Sequence, residues 1–300
     1  MNYLLTGGTG FVGMELVNKL TSLGHHCYVL TRSPEKYCNT SLTTYVTFRD
    51  IANLSQIDGV INLAGETLFG YWTKNKKEKI LTSRIETTQR IVDLMKQMEQ
   101  KPNVFVSGSA VGFYGISDDS IFTEETKKPG NDFLAHVVVE WEKTAKQAEE
   151  LGIRTVYTRF GVILGKDGGA LGLMALPTKL FAGGKVGTGE QWMSWVHLED
   201  VVEMILFSLF NDQISGPLNV TAPNPARNKE FNQTLAKSLK RPYWFPTPGP
   251  LIRLVTGEMS QLVLKGQYVL PNKALDNGYE FVYPDLEKAL QQCFGHVKKN

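Results

Sequence analysis

The chain has 300 residues, of which 42% are hydrophobic and 21% charged, and its net charge is +2 from 32 basic and 30 acidic side chains. That is ordinary globular composition with ample material for a core, and the charge balance speaks against a nucleic-acid partner, which calls for a clearly basic domain or stripe. Cys27, Cys38 and Cys293 stand far apart and in odd number, so neither a zinc site nor a disulfide framework is expected.

The first run, residues 2–6, reads as a strand, without the basic and apolar regions of a secretory signal. No stretch approaches the roughly 18 apolar residues of a membrane span. A cytoplasmic protein with no membrane partner is the expectation. Residues 11–23 follow with Phe11, Val12, Met14, Leu16, Val17, Leu20 and Leu23 at helical spacing. Strands are expected at 26–31, near 45–49, at 59–64, at 104–107 and at 155–160. A long polar helix should run to about residue 100 and another should cover about 131–150. Strands alternating with helices predict a doubly wound, mainly parallel α/β sheet of the Rossmann kind.

The second half is less regular. Residues 165–190 hold eight glycines around a short apolar helix. A helix at 198–210, a strand at 217–221, a helix at 227–240, a proline-rich turn at 242–250 and a last helix near 284–293 complete the reading. The expected division is a cofactor-binding domain at 1–161 and a smaller α/β substrate lobe at 162–300, with strands of the second half free to join the first sheet.

The strongest local signal is Thr6-Gly7-Gly8-Thr9-Gly10-Phe11-Val12-Gly13, a GxxGxxG pattern between the first strand and the first helix. Glycines there permit a tight turn, close approach of backbone to a pyrophosphate, and helix packing on the sheet. The helix start then offers free N–H groups to phosphate. The plain alternative is a glycine-rich turn with no ligand. At the end of the second strand, where NAD-binding chains place an acid for the ribose 2′-OH, this chain has Thr31-Arg32-Ser33. A guanidinium and a hydroxyl suit a 2′-phosphate, so NADP(H) is expected over NAD(H). The alternative is a surface arginine.

TGGTGFVG, VINLAGE (60–66), FVSGSAVGFYG (105–115) and RFGVILG (159–165) occur in the order of the extended short-chain dehydrogenase/reductases, the sugar-nucleotide epimerase family, and the chain resembles them. More narrowly it is similar to the atypical branch known as "epimerase family protein", through FLAHVVVEWE (133–142), WMSWVHLEDVV (192–202), GPLNVTAPNP (216–225) and the C-terminal run 266–290. The resemblance implies an NADP-dependent oxidoreductase or epimerase-like enzyme for a carbonyl or sugar-nucleotide-like substrate. It makes Ser109 the catalytic hydroxyl, sets Leu63, Ala64, Gly65 and Ser107 along the cofactor, and puts Arg159 and Val162 beside the nicotinamide.

The family's Tyr-x3-Lys pair, which donates the proton, is missing. The helix in its place offers Phe133 and Val137 in one register and Leu134 and Val138 in another. Carbonyl reduction needs a proton donor within reach of the oxygen. Tyr114 and Glu66 are the substitutes to consider, with an aromatic packed on its loop and a ribose ligand as their respective alternatives. His197 and His136 are read as structural, Trp141 and Glu142 as helix packing and a helix-end ion pair, and the run 74–79 as a solvated helix start. A cofactor-binding sensor that has lost catalysis is the rival reading. Substrate and oligomeric state are not legible.

Overall fold

The computed structural model describes residues 1–51, 54 and 56–295. The elements in chain order are β1 (Asn2–Thr6), α1 (Phe11–Ser22), β2 (His26–Leu30), β3 (Thr43–Val46), β4 (Gly59–Asn62), α2 (Lys74–Gln97), β5 (Val104–Ala110), β6 (Ile121–Phe122), α3 (Phe133–Lys146) and β7 (Arg154–Phe160). The second half adds β8 (Val162–Leu164), α4 (Leu171–Lys179), β9 (Trp192–Met193), β10 (Trp195–His197), α5 (Leu198–Phe210), β11 (Gly216–Val220), β12 (Ala226–Arg227) and α6 (Asn228–Ser238). It closes with α7 (Gly249–Thr256), α8 (Gln261–Leu264), β13 (Tyr268–Val269), α9 (Asn272–Asp276) and α10 (Leu286–Phe294).

Seven parallel strands form one sheet in the order β3-β2-β1-β4-β5-β7-β11. The order reverses direction between β1 and β4, where open α/β sheets place their ligands. Alternation along each strand feeds two cores. Tyr3, Leu5, Ile61, Val106 and Val156 meet Leu16, Val17 and Leu20 of α1 and Val201 to Leu209 of α5. Leu4, Val60 and Phe105 meet Ile91, Val92 and Met95 of α2 and Ala145 of α3. Burial on both faces is why these strands read as continuous apolar runs.

The third strand is Thr43–Val46, short of residues 45–49, because Asp50 draws the Thr47 N–H and hydroxyl, each at 2.7 Å, into a turn. The seventh strand, β11, comes from beyond residue 161, so the sheet crosses the expected domain boundary. The rest of the second half has its own core around Trp195, Phe231, Leu235 and Leu290. Two short pairings, β8 with β10 and β9 with β12, lie within this half, and a third, β6 with β13, joins it to the segment that follows β5. Buried Asp200 anchors the C-terminal segment, accepting the Val282 and Tyr283 N–H groups at 2.8 and 2.9 Å and the Tyr279 hydroxyl at 3.1 Å. No helix among the described residues is long and apolar enough to cross a membrane.

Candidate cofactor site and the missing acid–base pair

The glycine loop joins β1 to α1 at the C-terminal edge of the sheet. Gly7 has φ +70°, and a Cβ on it would lie 2.7 Å from the Leu63 carbonyl carbon and 2.9 Å from the Ala64 nitrogen. The turn therefore sits directly on the backbone that leaves β4. A Cβ on Gly13 would overlap the Gly7 carbonyl oxygen and reach within 2.6 Å of Gly8 Cα. Gly10 differs: its φ is −89° and ψ 179°, open to any residue, and a Cβ would meet only the Gly7 oxygen at 3.2 Å. The need for glycine through dihedral strain thus falls on Gly7, not Gly10. Gly10 is exposed and leaves space in front of the helix.

Gly10 caps α1 without a side-chain hydrogen bond, and the first turn holds no acid. The start of α1 keeps free N–H donors and its partial positive charge. Thr6 turns inward. Its hydroxyl donates to Asn62 Oδ1 at 2.5 Å and accepts the Ala64 N–H at 3.3 Å. The chain of bonds continues from Asn62 to Thr88 at 2.8 Å and from Trp141 to Thr88 at 3.0 Å. This buried network staples β1, β4, α2 and α3 beneath the loop, with Thr6 holding the backbone that leaves β4. Thr9 and Val12 lie on the loop and first turn, partly buried. The Phe11 ring packs against Gly165, Gly168 and Gly169, a slot that side chains there would fill. Arg32 is exposed at the end of β2 and has no ion-pair partner among the described residues. Ser33 follows, its N–H directed to Thr31 Oγ1 at 3.4 Å. Gly65 lies over Arg84, whose guanidinium is 3.1 Å from where a Cβ would stand. Burial lowers that guanidinium to about 10.

The expected catalytic residues meet a different environment from the one read in sequence. Buried Ser109 donates to Glu142 Oε1 at 2.5 Å. Glu142 in turn accepts both Arg159 Nε and Nη2 at 2.8 Å. Arg159 is buried and stacked 3.5 Å from the Phe113 ring centroid. Burial works against its charge, but Glu142 outweighs that and holds the guanidinium above its ordinary value. Tyr114 is buried as well. Its hydroxyl donates to Asn219 Oδ1 at 2.7 Å and accepts from Arg159 Nη1 at 3.0 Å. Burial raises its phenol further from the neutral range. Glu66 pairs with Lys76 at 2.6 Å, which holds its carboxyl below the usual range and weakens it as a base. Buried Ser107 and partly buried Val162 lie in β5 and β8. His136 is exposed. His197 caps α5, accepting the Glu199 N–H on Nδ1 at 3.2 Å and contacting Gln292 at 2.9 Å through Nε2.

On α3, where the acid–base pair is absent, the structure builds an apolar seal. Phe133, Leu134 and Val137 pack with Trp72 and Ile80 and with Met259 and Leu262 from the C-terminal region. Val138 joins Phe113 and Tyr114 in an adjoining cluster. Glu142 is the residue sequence reading underrated. An arginine at the buried end of the strand RTVYTRF was its signal, because a buried guanidinium demands an acid.

Comparison with known proteins agrees with this geometry. The NAD dependent epimerase/dehydratase family matches residues 3–220, and a domain of unknown function, DUF1731, matches 247–293. The chain is 46% identical over 302 residues to epimerase family protein YfhF of Bacillus subtilis, covering 99% of both. It is 46% identical over 292 residues to epimerase family protein SH2119 of Staphylococcus haemolyticus, covering 96% of this chain and 97% of that one. The crystal structure of human epimerase family protein SDR39U1 (isoform 2) with NADPH superposes with a TM-score of 0.88 at 32% identity, over 98% of this chain and 99% of that one. The chain belongs to the NAD dependent epimerase/dehydratase family, in the form that carries the additional C-terminal domain.

Proposed function

We propose that the chain is a cytoplasmic NADP(H)-dependent oxidoreductase or epimerase-like enzyme for a small carbonyl or sugar-nucleotide-like compound, working without the Tyr-Lys pair. The observation that carries this reading is the uncapped start of α1 held by Gly7 and Gly13 against the end of β4, with Arg32 exposed at the end of β2. The NADPH named with the human relative's structure supports the same cofactor. The backbone of Gly7 to Gly13 would hold the pyrophosphate, and Arg32 with Ser33 the 2′-phosphate. Leu63, Ala64, Gly65 and Ser107 would line the cofactor. When bound, the cofactor supplies or accepts hydride.

Residues 1–161 serve as the cofactor half and 162–300 as the substrate half in this reading. A cavity of about 590 Å³ lies between Asp118 and Asp119, which follow the Tyr114 loop, and Gly187 to Gln191 of the glycine-rich segment, with Arg227 and Arg253 in its wall. It is the proposed substrate compartment. Ser109 is buried and lies outside the lining of that cavity, so it would orient the oxygen of a substrate that reaches from the cavity to the end of β5. With its proton directed to Glu142, Ser109 offers lone pairs, which suits a substrate hydroxyl; a carbonyl requires the hydroxyl to turn away from Glu142.

The test is a screen of carbonyl compounds and nucleotide sugars with NADPH, following absorbance loss and isomerised product. Ser109→Ala should lower turnover and spare NADPH affinity; equal turnover in the variant removes Ser109 from the role. A second reading, an NADP(H)-binding sensor without turnover, is favoured by the apolar seal of Leu134, Met259 and Leu262 and by the bonded hydroxyls of Ser109 and Tyr114. Tight NADPH binding with no reduction across the screen selects it.

A further inference from the structure

Two segments of the second half, residues 171–185 and 240–256, hold five basic residues and no acidic one: Lys179, Lys185, Lys240, Arg241 and Arg253. In a chain of net charge +2 this is a marked segregation. All five are exposed, and none has an ion-pair partner among the described residues. Of the acids that flank these segments, Glu190 and Glu258 are paired with Lys229 and Lys77, and Asp118, Asp119 and Glu190 share a cavity wall with Arg253.

The same segments turn large apolar side chains outward. Helix α4 and the residue that caps its end expose Leu173, Leu176 and Leu180, with Leu180 at 69%. Helix α7 exposes Leu251, Leu254 and Val255, with Leu254 at 77%, and buries none of its residues. Between them stand Phe181, Trp244 and Phe245, with Trp244 at 69%. The segments are zipped together. Trp244 Nε1 donates to the Phe181 carbonyl at 2.8 Å, the Trp244 and Phe245 N–H groups to the Gly183 carbonyl at 2.9 Å, and the Thr247 N–H to the Lys185 carbonyl at 2.8 Å. Phe181 is held outward with φ +62°, a conformation that bulky residues rarely adopt. Arg241 stacks on its ring at 4.4 Å. Apolar exposure on this scale marks an interaction surface.

We propose that this face docks on an anionic bilayer surface, without spanning it. Charge selects the occupant. A two-fold contact with a second copy would set five unpaired cations against five. Anionic headgroups complement them, while leucines and aromatics on short helices and a turn enter the headgroup boundary, where Trp and Phe partition well. Gly249, Pro250 and Arg253 of the second segment also line the 590 Å³ cavity, so docking would bring that cavity to the membrane surface.

Flotation of the full chain with phosphatidylcholine vesicles, with and without phosphatidylglycerol, tests the proposal. Partition should be at least about tenfold higher on the anionic vesicles and collapse in high salt. Lys185→Glu with Lys240→Glu should lower it at least about tenfold, and Leu254→Glu should abolish it, with circular dichroism of each variant unchanged. Leu254 is so exposed that its replacement leaves the core intact. The proposal is overturned if the wild type ignores anionic vesicles, or if Leu254→Glu binds them equally well. Concentration-dependent dimers lost in Leu254→Glu, or capture by polyglutamate, in a protein that does not bind vesicles would assign the face to a second copy or to an acidic protein instead.

Discussion

Gly10 and Gly13 are three residues apart in one motif, yet the structure assigns them separate duties that mutation can separate. A methyl on Gly13 overlaps the Gly7 carbonyl oxygen and lies 2.6 Å from Gly8 Cα, where ordinary contact begins at 3.4 Å, so α1 and the loop must part by more than about 0.8 Å. Overpacking of this kind costs about 1–3 kcal/mol, and it displaces the N–H groups that would face phosphate. A methyl on Gly10 meets only the Gly7 oxygen at 3.2 Å, in a backbone that any residue accepts. Reduced freedom of the unfolded chain returns about 0.4–1 kcal/mol there, so Gly10→Ala should melt close to wild type. It should nevertheless bind NADPH at least about tenfold more weakly, because the loss of one charge-assisted hydrogen bond is worth roughly 1.5–3 kcal/mol. Thermal melts with fluorescence titration of NADPH report both quantities. Gly13→Ala melting like wild type would refute the contact argument. Gly10→Ala with wild-type affinity would refute the phosphate cradle.

Arg32→Asp should reverse the cofactor preference, its carboxylate repelling a 2′-phosphate and accepting a 2′-OH; an unchanged NADPH to NADH affinity ratio makes Arg32 a surface residue only. Glu142→Leu should destabilise by about 3–5 kcal/mol in urea titration, because it strands a buried guanidinium, whereas Glu142→Leu with Arg159→Met should recover most of the loss. Equal costs for the single and double variants would contradict the pairing. Burial holds His197 below its ordinary value of 6.5, so the unfolded chain takes up its proton first as pH falls. Its contribution is present above about pH 6.5 and lost below it. His197→Asn, which keeps a capping oxygen, should show a smaller loss of stability between pH 7.5 and 5.5 than wild type, and an equal loss would remove His197 from the pH response.

Local signals made the N-terminal half readable. The apolar run of Tyr3, Leu4 and Leu5, the glycine loop and the helical spacing of Leu16, Val17 and Leu20 each lie within one segment of chain, so composition, periodicity and turn chemistry reveal them. The acid–base side was not readable in the same way. Ser109 and Glu142 are 33 residues apart, Tyr114 and Asn219 are 105 apart, and their bonds form only when β5, α3, β7 and β11 assemble. Sequence shows that Tyr-x3-Lys is missing; it does not show that Met259 and Leu262 arrive to seal the place. The two-residue strands β6, β9, β12 and β13 carry no period of their own, because their partners lie far along the chain.

The most direct test of the central claim is calorimetric titration of the unmodified chain with NADPH and with NADH. One charge-assisted contact from Arg32 to the 2′-phosphate predicts about ten- to hundredfold tighter binding of NADPH, with the difference shrinking as salt rises. Equal affinities, or no heat with either nucleotide at concentrations that saturate dinucleotide-binding proteins, would contradict it.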